Sequence, residues 1–275
     1  MKHVLLCVSA IGACAVAFSL PPIPQDPVYH QMADRRAFAG LPNALDVISN
    51  LPFAVVGGAG LIMMIRRKQD GGSPSVVDRA PGWPWIMFFA ATAATALGSV
   101  YYHLSPSNAR VVWDRLPIAI ACASLVTAVV GERVNRRAAR LLLVPLIIAA
   151  AGSVVFWYWS ELGGHGDLRP YVCVQFGSLF ILVVILLLYR EPPGDTPFLV
   201  AGLAAYGVAK VCELADRPIY EVAHLMSGHT LKHLAAATGI ACVLAMLRAR
   251  VSARLAPTRA PRSHPGTRHM HVQPR

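Results

Sequence analysis

Eight apolar runs separated by short polar stretches constrain the fold of this chain more than any other feature. The last seven are long enough to cross a bilayer as helices, since a span needs about 20 apolar residues. Only 14% of the residues are charged, against about 25% in an average soluble domain. The sequence therefore predicts an all-α polytopic membrane protein with a seven-transmembrane-helix bundle, not a soluble domain. The runs lie at 4–20, 45–65, 84–104, 112–131, 139–159, 169–189, 196–213 and 230–248.

The first run has two interpretations. Residues 1–20 begin with Met-Lys-His, continue with an apolar stretch and stop before Pro21 and Pro22. A signal peptide has this organisation, and Ala15-Val16-Ala17 would be its cleavage site. The same stretch would also serve as an additional transmembrane helix. The predicted organisation is therefore residues 1–20 as leader or extra helix, 21–248 as the membrane domain, and 249–275 as a basic disordered tail.

The distribution of basic residues predicts the orientation. Of the 25 Lys and Arg residues, 17 lie in the 66–83, 132–140 and 190–195 loops, in the C-terminal tail and at Lys2, and eight lie on the opposite side. By the positive-inside rule, these loops and the C-terminus are cytoplasmic. We expect a bacterial inner-membrane protein whose other face is periplasmic.

The net charge of +11 would favour nucleic-acid binding in a soluble protein. Here much of it lies in a tail that is rich in Pro, Arg and His and has no apolar periodicity. We therefore predict that the tail lies on anionic lipid headgroups and that the protein binds no nucleic acid.

Polar residues cluster at one predicted depth. Ser99 and His103 lie four residues apart on one face of a predicted helix, and Asp114 follows in the first turn of the next. His229 and His233 share a face at the start of the last helix. By the predicted topology, all five residues lie near the periplasmic ends of their helices. Ionisable residues at such positions are costly, and they indicate a functional site.

Three imidazoles near a carboxylate are typical of zinc with an open coordination position. Haem fits less well, because two ligands on one helix face cannot take opposite axial positions on one iron. The alternative is that His229 and His233 are interfacial side chains that hydrogen-bond to loops.

Five stretches together resemble the bacterial branch of the alkaline ceramidase family. This family lies within the CREST superfamily of seven-helix membrane hydrolases and adiponectin-type receptors. The resemblance covers about residues 26–248 and is carried by 98–103 (GSVYYH), 112–117 (VWDRLP), 227–234 (SGHTLKHL), 33–36 (ADRR) and 42–53 (PNALDVISNLPF).

The resemblance implies a zinc-dependent intramembrane amidohydrolase. It would cleave the amide bond of ceramide, or of a related acylated lipid amine, into a fatty acid and a sphingoid-type base. His103, His229 and His233 would hold zinc, Asp114 would hold the attacking water, and Ser99 would bond the water or the developing oxyanion.

The resemblance also implies calcium in the entry segment of some family members. Here the candidate ligands are Asp26, Asp34, Asn43 and Asp46. Asn43 stands where an acidic residue is expected, which weakens the case for calcium. Helix capping and loop turns are the alternative roles of these residues.

Two other functions compete with the enzyme. The first is a zinc-containing receptor or signalling protein of the same superfamily, in which the metal is a structural clamp. The second is a transporter, which would need ionisable groups along the full depth of the bundle. For two further polar residues we expect structural roles: Lys232 snorkels to the interface, and Glu213 joins a loop network at the mouth of the site.

Overall fold

The computed structural model describes residues 1–69, 82–189 and 194–255, without the side chains of 67–69 and 254–255. Eight of its helical segments are long and apolar enough to cross a membrane, and they match the eight predicted runs closely. This confirms the all-α polytopic class. The long helices are α1 (Lys2–Ser19), α3 (Leu51–Gln69), α4 (Gly82–Leu104), α5 (Asn108–Arg133), α6 (Arg136–Leu162), α9 (Thr196–Leu214) and α11 (Gly228–Leu255).

The remaining span is composite, and short helices flank the site. The span runs from α7 (Arg169–Val172) through a π-helical stretch, Cys173–Gly177, into α8 (Ser178–Leu188). A short helix, α2 (Ala44–Ile48), precedes α3, and α10 (Asp216–Ala223) separates α9 from α11. The entry segment, residues 21–43, contains one turn of 3₁₀-helix at Pro27–His30.

Local signals explain where the central helices begin. The side chain of Ser107 accepts a hydrogen bond from the Arg110 N–H at the start of α5, and Asn135 accepts one from Ala138 N–H at the start of α6. Both are preferred N-cap residue types. Pro117 lies within α5, where packing between transmembrane helices tolerates it.

The bundle packs mainly through neighbouring helices. α4 packs between α3 and α5, α5 also packs against α6, and α9 packs against α11. The largest core cluster contains the fully buried side chains of Trp85, Phe89, Val129 and Leu247. Gly98 of α4 lies against the backbone of Trp113 in α5, so that a Cβ at residue 98 would meet the Trp113 carbonyl. Small residues permit such close helix contacts in membranes.

A partly buried ion-pair network lies at the opposite end of the bundle from Asp114 and His229. The guanidinium of Arg250 donates to Glu132 at 2.7 Å and to Asp195 at 2.9 Å, and the Trp85 indole also donates to Glu132 at 2.9 Å. The sequence predicts Arg250 to lie in the basic tail, but in the structure it lies within α11 (Gly228–Leu255). α11 runs to Leu255, past the predicted boundary at 248. Residues 256–275 of the predicted tail lie outside the described residues.

Helix α1 lies on the surface of the bundle, and none of its residues is buried. His3 contacts the Tyr189 hydroxyl at 2.8 Å, and Arg169 donates to the Leu20 carbonyl at 2.6 Å. The two interpretations of α1, leader or extra span, both stay predictions.

Candidate metal centre

Three histidines converge from two helices that lie far apart in the sequence. His103 is in the last turn of α4, and His229 and His233 share one face at the start of α11. The His103 ring centroid lies 4.7 Å from that of His229 and 5.0 Å from that of His233. All three side chains are buried. The predicted convergence is therefore confirmed.

The three rings present nitrogens to one another. The Nε2 atoms of His103 and His229 lie 3.3 Å apart, and one ligand atom from each of the three rings lies within 4.8 Å of the others. Among the residues that the structure describes, this is the only group of His, Cys, Asp or Glu side chains found with such an arrangement. The group could bind a metal ion, because neutral imidazole nitrogen is a ligand for many divalent metals.

Ser49 orients the ring of His233. Its Oγ lies 2.7 Å from His233 Nδ1 and 3.0 Å from the Asp46 carbonyl oxygen. A hydroxyl has one proton to donate. Since that proton goes to the carbonyl, Ser49 accepts from Nδ1–H, which leaves the His233 Nε2 lone pair free to bind a metal. Ligating histidines typically have such an outer partner.

Two carboxylates anchor the beginning of α11. Asp216 accepts from the backbone N–H of His229 at 2.7 Å and from Ala33 N–H at 3.0 Å. Asp46 is completely buried and accepts from the Thr230 hydroxyl at 2.7 Å. The entry segment and α2 are thereby tied to the helix that carries two of the three histidines.

Ser99 and Asp114 lie in the wall of a cavity that His233 also lines. Both side chains are buried, and the hydroxyl of Ser99 interacts with the carboxylate of Asp114. The contact between Gly98 and Trp113 holds these two neighbours together, because each polar residue directly follows one of the touching residues in sequence.

The cavity is long and mostly apolar. Its volume is about 690 Å³, within the usual range for small-molecule sites. From Ser99 it extends along α4 to Phe88, and from His233 along α11 to Val243. At 1.5 Å rise per residue, either distance is about 15 Å, half the thickness of a bilayer's hydrocarbon core. The cavity thus joins a polar site at Ser99 and His233 to an apolar slot, the part that extends to Phe88 and Val243.

Three ionic side chains line this cavity in an arrangement that the sequence did not predict. Lys232 donates to Glu213 at 2.8 Å, and Lys210 contacts the other oxygen of the same carboxylate at 2.5 Å. Lys232 therefore points into the bundle; the prediction that it snorkels outward is wrong. Glu213 belongs to α9, not to a loop. Lys232 also lies near enough to Asp114 to interact with it electrostatically.

The four candidate calcium ligands have other partners in the structure. Asp26 caps the turn at 27–30 by accepting from Val28 N–H. Asp34 pairs with Arg36 at 2.8 Å, and the hydrogen bond from Arg36 lowers the pKa of Asp34. Asn43 donates to the His103 carbonyl at 2.7 Å, and Asp46 accepts from Thr230. Asp26 and Asp34 thus have the local cap and turn roles of the alternative, whereas Asn43 and Asp46 join distant segments; calcium stays a prediction.

Fold and site together define a polytopic helical membrane protein with a buried three-histidine group, one member of which, His233, lines a mostly apolar cavity. No sequence profile of a known protein family matches the chain, and a comparison with curated proteins also finds no match.

Proposed function

We propose that the protein is a zinc-dependent intramembrane hydrolase that cleaves the amide bond of ceramide or of a related acylated lipid amine. The observation that carries this proposal is the buried group of His103, His229 and His233, because His233 lines a mostly apolar cavity whose wall also contains Ser99 and Asp114. A metal site of this kind combined with a slot for an acyl chain suits a lipid whose amide lies near the membrane surface.

The distance between one pair of the ligand nitrogens fits zinc, while the three ligand atoms together lie within 4.8 Å of one another. Tetrahedral zinc with Zn–N bonds of 2.0–2.1 Å requires nitrogens roughly 3.3–3.4 Å apart. The Nε2 atoms of His103 and His229 are 3.3 Å apart. Three neutral imidazoles without a thiolate are also the ligand set of many catalytic zinc sites, which leave one coordination position for water or substrate.

When bound, zinc would polarise the amide carbonyl and make water acidic enough to attack near neutral pH. Residues of the protein would supply the proton transfer, the contact to the developing oxyanion and the binding of the acyl chain. Asp114 accepts the proton of the attacking water and returns it to the leaving amine. The Ser99 hydroxyl donates to the Asp114 carboxylate before the reaction; once Asp114 has taken up the proton of the water, this hydroxyl becomes free to donate to the oxygen on which negative charge develops. The apolar slot binds the acyl chain by burying CH₂ groups, each worth about 0.8 kcal/mol.

The test measures, for the purified protein and each variant, both the zinc content and the rate of hydrolysis of a fluorescent ceramide. Wild type should contain about one zinc per chain and release fatty acid. Asp114→Asn should keep its zinc, because the three histidines remain, but lose about 10²- to 10⁴-fold in rate. His229→Ala combined with His233→Ala should lose both zinc and activity.

Asp167→Asn is the matched control, because Asp167 is a buried carboxylate that pairs with Arg169 outside the cavity. It should keep both zinc and activity. Full activity in Asp114→Asn would refute the assigned role of Asp114. A wild-type protein that binds zinc, unfolds without it and cleaves no lipid amide would instead favour the structural clamp of a receptor.

A further inference from the structure

Arg115 differs from the other buried charges of the cavity because it has no carboxylate partner. Its side chain is only 5% exposed and lines the cavity. In the part of the chain that the structure describes, Arg115 takes part in no ion pair, and its Nη1 has no hydrogen-bond partner. Arg36, Arg169 and Arg250, by contrast, each pair with a carboxylate.

The carboxylates nearest to the cavity are already engaged or directed elsewhere. Both oxygens of Glu213 contact lysines, and one oxygen of Asp26 accepts from Val28 N–H. Asp114 is adjacent to Arg115 in sequence and interacts with it electrostatically, but consecutive residues of a helix do not face each other, and no ion pair or hydrogen bond joins these two described side chains. A guanidinium buried without an anion is costly.

The surroundings hold this guanidinium in one position. Its central carbon lies 4.3 Å from the ring centroid of Trp157 and 5.2 Å from those of Tyr29 and Tyr171. Its Nη2 donates to Gln25 Oε1 at 2.6 Å. Aromatic faces stabilise the cation without neutralising it. The Nη1 donor is therefore held in the cavity wall next to Asp114, ready for an acceptor that the described chain does not supply.

We propose that Arg115 binds an oxyanion of the lipid in the cavity. This inference rests on the proposed hydrolase and narrows its substrates. The oxyanion has two sources: an acidic group on the amine part of the substrate, or the carboxylate of the fatty acid that hydrolysis releases. A planar guanidinium suits either one, because carboxylates, phosphates and sulfonates present oxygens that its N–H groups can bind.

The first arm of the test compares two substrates with the same acyl chain, N-oleoylglycine and N-oleoylethanolamine, which differ in the charge of the amine part. If the acidic group is the source, wild type should prefer N-oleoylglycine in kcat/KM by about 10- to 100-fold, the range expected for a hydrogen bond to a charged group. Arg115→Gln should reduce this preference to near unity. The control Arg110→Gln should retain it, because Arg110 is on the same helix but contacts Tyr101 outside the cavity.

The second arm measures binding and needs no turnover. Oleate, oleyl alcohol, N-oleoylglycine and N-oleoylethanolamine each displace a fluorescent fatty alcohol from the purified protein. If the released fatty acid is the source, wild type should bind oleate at least tenfold tighter than oleyl alcohol, and Arg115→Gln should lose that difference.

A second variant tests the charge of Arg115 without removing the residue. Gln25→Glu changes an amide oxygen 2.6 Å from Nη2 into a carboxylate oxygen of the same size, which neutralises the guanidinium in place. It should weaken oxyanion preference as Arg115→Gln does, even if that variant fails to fold. Loss of preference in either arm supports the proposal and identifies the source.

The proposed role of Arg115 is overturned if Gln25→Glu or Arg115→Gln shows the same oxyanion preference as wild type in both arms. A wild-type protein that cleaves neither amide refutes the proposed hydrolase, while the binding arm still decides the role of Arg115.

Discussion

The bond between Ser49 and His233 predicts how strongly an outer residue controls metal binding. In Ser49→Ala, His233 Nδ1–H loses its acceptor at 2.7 Å, and the backbone of Asp46 remains as the other hydrogen-bond partner of the ring. Both residues are buried, with exposed fractions of 6% and 4%, so water replaces the lost partner poorly.

The expected loss of zinc affinity follows from the effect of removing such partners in other metal sites. Removing the outer partner of a ligating histidine typically weakens metal binding 10- to 100-fold, which is about 1.4–2.7 kcal/mol. We expect Ser49→Ala to raise the zinc Kd by this factor. Ser49→Thr keeps the hydroxyl and should restore most of the affinity.

The assay is competition for zinc between the detergent-solubilised protein and a chelating dye. Ser153→Ala is the matched control, because Ser153 is also 6% exposed and its hydroxyl donates only to the Ala150 carbonyl of its own helix. Its zinc Kd should stay at the wild-type value. A Kd for Ser49→Ala within twofold of wild type would show that Ser49 does not orient a metal ligand.

Two further predictions concern the frame of the site and its orientation. Gly98→Ala should force α4 away from α5, cost about 1–3 kcal/mol of stability, and reduce amide hydrolysis by up to about 100-fold through misplacement of Asp114. The control is Gly152→Ala, whose added Cβ meets no atom within 4 Å and should change neither stability nor hydrolysis. Equal activity in the two variants would contradict the reasoning. A reporter fused to the C-terminus should read cytoplasmic and one inserted at 163–167 should read external; the reverse result would place the histidines near the cytoplasmic face.

The sequence predicts the parts of this structure that depend on local pattern. Each span is an apolar run of sufficient length, so its existence does not depend on contacts with other helices. The spacing of His229 and His233 places them on one face for the same reason. His103 joins them because the ends of successive membrane helices return to the same depth, which is a property of the bilayer as much as of the chain.

Other parts depend on tertiary packing and leave no signal in the sequence. Ser49 reaches His233 across 184 residues, and a serine near a helix end most often has a capping role. Lys232 and Glu213 lie on different helices, so neither residue type shows that they meet. The aromatic rings around Arg115 likewise come from three separate segments. The sequence contains one indication: the Asp-Arg pair at the start of a membrane helix places two charges where each needs a partner that neutralises it.

The origin of the three histidines has a consequence for the biosynthesis of the protein. His103 and His229 are 126 residues apart, and His229 and His233 belong to α11, the last helix of the described residues. Chains are synthesised from the N-terminus, so a chain that stops before α11 is inserted holds one histidine of the three. With a metal bound to the three histidines as we propose, metal occupancy would report whether synthesis and insertion have reached α11, and chains that stop earlier would lack the site on which the proposed activity depends.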